Sequence, residues 1–297
     1  MRSLRFMLPA VLLAVVVVAC GDTVATTGSS TPPPACVSGT ITASGSSALQ
    51  PLIDKASKAY AATCPGAAIT VGGSNSTAGL TDVSNGAAEI GDSDVPVATV
   101  PALDATKVTD HQVAIVIFAV VVNPDSGVTN LTAQQITDIF SGKTTNWKQA
   151  GGADKTIAVV ERKAGSGTRL AFDADLMGTA EEINNPSSTQ STSAGVLTTV
   201  SKTSGAISYL NVADIKGATG IVAAAIDGHA ATAAQVIAGT YPFFAHEHCY
   251  TPTSPAPLAA SFLAYVLGPA FQGQVAATGF LPVSATGNQS AIDKIGG

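Results

Sequence analysis

The chain has 297 residues, a formal net charge of −6 and a pI near 5.0; 46% of its residues are hydrophobic and only 11% charged, against about 25% in an average soluble protein. That much apolar residue excludes wholesale disorder. So few Glu and Lys exclude a coiled coil, and an acidic balance speaks against a nucleic-acid partner, which wants clustered Lys and Arg. The length fits one large domain or two of medium size.

Arg2 and Arg5 precede an apolar run over 7–19. It is too short for the roughly 20 residues that a bilayer span needs and is read as a secretory signal peptide over 1–19. The junction Val17-Val18-Ala19-Cys20-Gly21 resembles the bacterial lipobox, with Val17 in place of the usual Leu. Cys20 is therefore the expected lipidated N-terminus and the expected membrane anchor, on the periplasmic or outer side. Cleavage removes both early arginines and makes the mature chain more acidic still. Residues 20–35 are small, polar and Pro-rich, which suits a tether rather than a core.

Beyond the tether, strands and helices alternate. Strands are expected at 39–43, 68–71 and 88–91, with helices at 47–61 and 76–84. A β-branched run inside 111–123 has the character of a strand buried on both faces. Further on come a helix at 132–140 with Thr132 as N-cap, a strand at 157–161, a helix at 168–176, and strands at 206–210 and 221–226. Helices at 232–238, 256–267 and about 270–277 complete the chain. Such alternation predicts an α/β fold with mixed, mostly parallel sheets. Two segments look like crossings between lobes, the buried run ending near Val122 and the stretch 240–250. They predict a discontinuous lobe I, 36–120 plus 246–297, and a lobe II, 121–245. Export permits a disulfide. Cys36 precedes the first strand and Cys64 follows the first helix, and a helix returning along its strand brings those ends together. Cys36–Cys64 is the predicted bridge, with Cys249 a buried free thiol.

Three turns share one character: Gly45-Ser46-Ser47-Ala48, Gly73-Ser74-Asn75-Ser76-Thr77 and Gly165-Ser166-Gly167-Thr168 each follow a strand and open a helix. Helix N-termini expose unpaired N–H groups at the positive end of the dipole, which favours anions. One such turn needs no more than N-capping to explain it; three in one chain point further. Arg162 lies just before the third turn, and its fork can hold two oxygens of a tetrahedral oxyanion. Asp94, in Gly91-Asp92-Ser93-Asp94-Val95-Pro96, repels any anion that lacks a proton. Phosphate, with a second pKa of about 6, carries one near neutral pH; sulfate does not.

GSSALQP, GSNSTAGL, GDSDVP, ERKAGSGTRLAF and GAISYL together resemble the successive signatures of the PstS family, the phosphate-binding component of bacterial phosphate ABC transporters. The resemblance covers about residues 39–285. It implies the type II periplasmic-binding-protein fold, two lobes closing on one dehydrated phosphate, with no cofactor and no catalysis. It implies donation from Ser47, the Ala48 amide and Ser76, acceptance by Asp94, and second-lobe contacts from Arg162, Ser166, Gly167 and Thr168. The implied partners are phosphate and the permease subunits, for a chain that acts as a monomer. Ala164 departs from the pattern, because many members carry an acidic residue there that holds the Arg. Glu161 or Asp92 is the expected substitute for that residue. Ala48 stands where some members have an aromatic, but only its amide is needed.

Other motifs carry less. His246-Glu247-His248-Cys249 suggests zinc, yet on a strand the two His share a face that Cys249 leaves, so no metal is expected. Position 137 is Thr where a P-loop ending at Gly142-Lys143-Thr144 needs Gly. A receptor for another oxyanion, a phosphate sensor and, further off, a phosphatase using Ser47 or Ser166 are the competing functions.

Overall fold

A computed structural model describes residues 36–285. The expected signal peptide, the expected lipidation site Cys20, the expected tether and the end of the expected lobe I at 286–297 lie outside those residues. β1 (Gly39–Ser46) turns its alternate residues inward, and α1 (Gln50–Thr63) follows with Pro51 in its first turn, where the missing N–H costs nothing. α1 buries Leu52, Ile53, Ala56, Ser57 and Tyr60, the stripe that a 3.6-residue period predicts. β2 (Ala67–Ser74), α2 (Ser76–Ser84) and β3 (Ile90–Ser93) come next. Cys36 and Cys64 form the predicted disulfide, their Cα atoms 5.2 Å apart, and Cys249 is free and buried.

β4 (Val108–Val122) is the longest strand, with every residue from Val113 to Val122 buried. After the short β5 (Asn130–Leu131), α3 (Ala133–Phe140) opens on a capping box in which the Thr132 and Gln135 side chains bond each other's backbone N–H, as expected of that pair. β6 (Ala158–Arg162) leads into α4 (Gly167–Phe172), which continues as a π-helical turn over Asp173–Met177. The expected helix over 168–176 is thus two pieces. β7 (Ser188–Gln190) and α5 (Ser193–Lys202) then precede β8 (Ala206–Asn211), α6 (Val212–Ile215), β9 (Val222–Ile226), α7 (Ala233–Ile237), β10 (Phe244–Pro252), α8 (Pro257–Leu267) and α9 (Pro269–Val275). Among the described residues no helix is long and apolar enough to cross a membrane.

The main strand order is β2-β1-β3-β10-β4-β8-β6-β7, with β9 beside β4 and β5 beside β9. β1 is parallel to β2 and β3, and β6 is parallel to β7 and β8. β10 runs antiparallel between β3 and β4. The sheet is therefore mixed, as expected, and the two expected crossing segments are β4 and β10. β4 pairs with β10 along 108–117 and with β8 along 118–122, so one strand serves both halves of the sheet. Behind it, the rings of Phe172 and Tyr209 stack 4.2 Å apart. Trp147 is fully buried, donating its indole N–H to Gly205 O at 2.9 Å.

Candidate functional site

The parallel strands β1, β2, β6 and β8 all end toward one place, as does β3. In open α/β sheets that carboxyl edge is where ligands bind. The three hydroxyl turns and the Asp94 loop meet there. Gly167 is central to how closely they meet: a Cβ on it would fall 2.2 Å from Ser76 Oγ and 2.9 Å from Asp94 Cβ. Only glycine lets the third turn press against the second. Thr77 N–H donates to Gly165 O across the same contact at 3.1 Å. On the other side Gly45, at φ +141°, has no room for a Cβ, which would meet Asp92 O at 2.1 Å. That close approach packs the first turn onto the end of β3.

All eight residues expected to bind fall in one buried cluster. Asp94, 2% exposed, is its hub. Its Oδ2 accepts from Thr168 Oγ1 at 2.8 Å, its Oδ1 accepts from Ser46 Oγ, and its own N–H donates to Ser76 Oγ at 3.0 Å. Arg162, 1% exposed, donates from Nη2 to Ser47 Oγ at 3.4 Å and to Ser191 O at 3.3 Å. Its Nε and Nη1 are buried and have no hydrogen-bond partner among the described residues. Ser166 caps α4 by accepting from Arg169 N–H at 3.3 Å, which leaves its own hydroxyl proton to donate. The Ala48 amide donates to Ser46 Oγ at 3.0 Å.

Burial lowers the Arg162 pKa, and the negative charge of Asp94 opposes that most strongly, followed by Tyr209, Asp214 and Glu161. Neither expected substitute for the missing acid at 164 holds the guanidinium. Glu161 accepts from Tyr209 OH at 2.8 Å and from the Arg162 backbone N–H at 3.0 Å, with Arg169 Nε 3.7 Å away. Asp92 accepts from Cys249 Sγ at 3.2 Å. The negative charge of Asp214 also acts on Arg162, though less strongly than those of Asp94 and Tyr209, and the Asp214 carboxyl bonds Ser193. Burial pushes the Asp214 pKa up to about 7, against the pull of Ser193 and Arg162.

Four of these groups escape motif reading. Ser46 is visible as the neighbour of Ser47, but both are serines and nothing local says which one faces the carboxylate. Ser193, whose N–H donates to Ser47 Oγ at 3.1 Å, opens α5, and α5 itself has a weak signal. Its buried residues are Ser193, Val196 and Val200, inside a Ser/Thr-rich stretch. Asp214 lies on a four-residue helix. Glu247 lies fully buried on the crossing strand β10; burial raises its pKa, and the negative charge of Asp94 raises it further.

The profile of the PBP superfamily domain matches residues 30–270. The phosphate-binding protein PstS of Bacillus subtilis is 38% identical over 248 residues, which are 83% of this chain and 82% of that protein. This chain belongs to the PstS family. Among solved structures, a phosphate-bound substrate-binding protein of Clostridium perfringens is 27% identical with a TM-score of 0.75, over 83% of this chain and all of that one. An ABC-type phosphate transport receptor of Vibrio cholerae is 26% identical with a TM-score of 0.64, over 81% of this chain and 99% of that one.

Proposed function

We propose that this chain is the extracytoplasmic receptor of a phosphate ABC transporter, capturing inorganic phosphate and handing it to the permease. The observation that carries this reading is a buried arginine with two unpartnered N–H-bearing nitrogens in one cluster with a buried acceptor carboxylate. Arg162 supplies the fork for two phosphate oxygens. Asp94 accepts the phosphate proton. Ser47, Ser76, Ser166 and Thr168 direct hydroxyls, and Ala48 and Gly167 direct amides, at the remaining oxygens; the Ala48 amide exchanges Ser46, and the Thr168 hydroxyl exchanges Asp94, for the ligand.

Capture closes two lobes, 36–120 with 246–297 and 121–245, about β4 and β10, the hinge motion general to such receptors. Cys20 anchors the monomer to the membrane surface by its lipid. No covalent step is assigned to any serine, and a chromogenic phosphate ester left intact by the purified protein is the expected result. Calorimetry with phosphate and sulfate is the deciding test. Phosphate binding with sulfate excluded is the expected outcome, and equal affinities would refute the role of Asp94.

A further inference from the structure

We propose that Arg169 is a positioning residue. Braced by Glu182 and Glu161, it holds the turn between β6 and α4 so that the Arg162 fork and the donors of Ser166, Gly167 and Thr168 keep one relative placement. The proposal rests on the phosphate reading above and concerns how that site is held.

The need for a brace arises where β6 ends. Toward β7, Lys163 N–H donates to Gln190 O at 3.0 Å. On its other edge β6 pairs with β8 only at Ala158 and Val159. That ladder has ended before Arg162, whose buried N–H and C=O need partners from elsewhere. Side chains supply both. Glu161 Oε2 accepts from Arg162 N–H at 3.0 Å and from Tyr209 OH at 2.8 Å. Arg169 Nη1 donates to Arg162 O at 2.8 Å. Ala164, inside the turn, has no polar side-chain atom to add.

Arg169 is tied to both ends of the turn. Its side chain reaches Arg162, where the turn begins, and its N–H donates to Ser166 Oγ at 3.3 Å, where α4 begins. All three guanidinium nitrogens are engaged: Nη1 with Arg162 O, Nη2 with Glu182 Oε2, and Nε 3.7 Å from Glu161 Oε2. Glu182 is itself fixed, since its neighbour Ile183 donates its N–H at 2.7 Å to the carbonyl of Phe140, the last residue of α3. A chain of contacts thus runs from α3 through Glu182 and Arg169 to the backbone of Arg162. The Arg162 guanidinium is bonded at Nη2 alone among its nitrogens. A binding group must be held within about 0.5 Å to use its geometry, and here much of that hold comes through the backbone.

A cation near an anion site also helps by charge alone, so the test separates charge from placement. It is calorimetry of the full chain with phosphate, for wild type, Arg169→Lys and Glu182→Met, with melting curves to show that each is folded. Lys keeps the positive charge but has one nitrogen in place of the fork. Met removes a negative charge from the neighbourhood of Arg162. Charge alone therefore predicts unchanged affinity for the first and tighter binding for the second. Positioning predicts that both weaken phosphate binding by about tenfold, the scale of one lost hydrogen bond to a charged group. A folded Glu182→Met that binds phosphate as tightly as wild type, or a folded Arg169→Lys that matches wild type, overturns the proposal. Nitrogen-15 relaxation of the Arg162 Nε–H is a second readout, which a loss of general stability does not move. It should report a more mobile side chain in both variants, and rigidity equal to wild type overturns the proposal. If one variant fails to fold, the other decides both readouts. If the wild type ignores phosphate, the receptor reading fails, and the relaxation comparison without ligand still decides whether Arg169 holds Arg162.

Discussion

Arg162 and Asp94 are both almost fully buried, and each bonds hydroxyls, Arg162 that of Ser47 and Asp94 those of Ser46 and Thr168. A buried charge whose partner is cut away costs several kcal/mol, so each is sensitive to substitution in its own way. Arg162→Ala is expected to abolish phosphate binding by calorimetry. Asp94→Asn replaces an acceptor with an amide whose N–H groups donate, so sulfate is expected to begin to compete with phosphate in a displacement titration. Ser166→Ala removes one donor to a charged ligand and is expected to weaken binding by about 1–3 kcal/mol. The ranking matters: a hydroxyl is one donor of several, whereas the guanidinium is the site's cation.

The first strand and helix illustrate the element scale. The Cys36–Cys64 bridge spans 28 residues and ties the start of β1 to the end of α1. The binding turn lies at the other end of β1, about 25 Å away for an eight-residue strand. Reduction should therefore lower stability by about 2–4 kcal/mol, chiefly by freeing the unfolded chain, and leave phosphate affinity unchanged. Thermal melts and calorimetry with and without reductant check both halves of that statement. Elements with a strong local signature, α1, α3, β4 and α8, are legible in the sequence because their apolar period or caps are complete within a few turns. α5 is not, because only Val196 and Val200 mark its buried face in a run of Ser and Thr. Its helix is held by packing on β8 rather than by propensity.

At the scale of the whole molecule, the chain carries several buried acids. Burial pushes Asp92, Asp175 and Asp214 up to about 7 and Glu247 well above its usual range. A carboxyl whose folded pKa is raised binds its proton more tightly folded than unfolded. Its stabilising contribution is complete below the unfolded value, about 4, and is lost as pH rises through about 7. The ligand-free protein is thus expected to melt at a lower temperature at pH 8 than at pH 5. Asp214→Asn removes one of these groups and should flatten that difference, as calorimetric melts across the range would show. Phosphate should raise the melting temperature by mass action wherever it binds only the folded chain.

The turns, their hydroxyls, most of the strands and helices in order and the pairing of Cys36 with Cys64 were determined by the sequence alone, since each rests on neighbours within a strand, a turn of helix or one returning helix. The tertiary structure alone decided what each buried charge faces. Ser47 meets Ser193 across 146 positions of chain, Arg162 meets Ser47 across 115, and Asp94 meets Thr168 across 74. The charge of Asp214 acting on Arg162 and that of Asp94 acting on Glu247 belong to the same class. Periodicity encodes which side of an element is apolar. The protonation state of a buried group is set by the donors and charges that folding brings to it, and no local pattern carries that information.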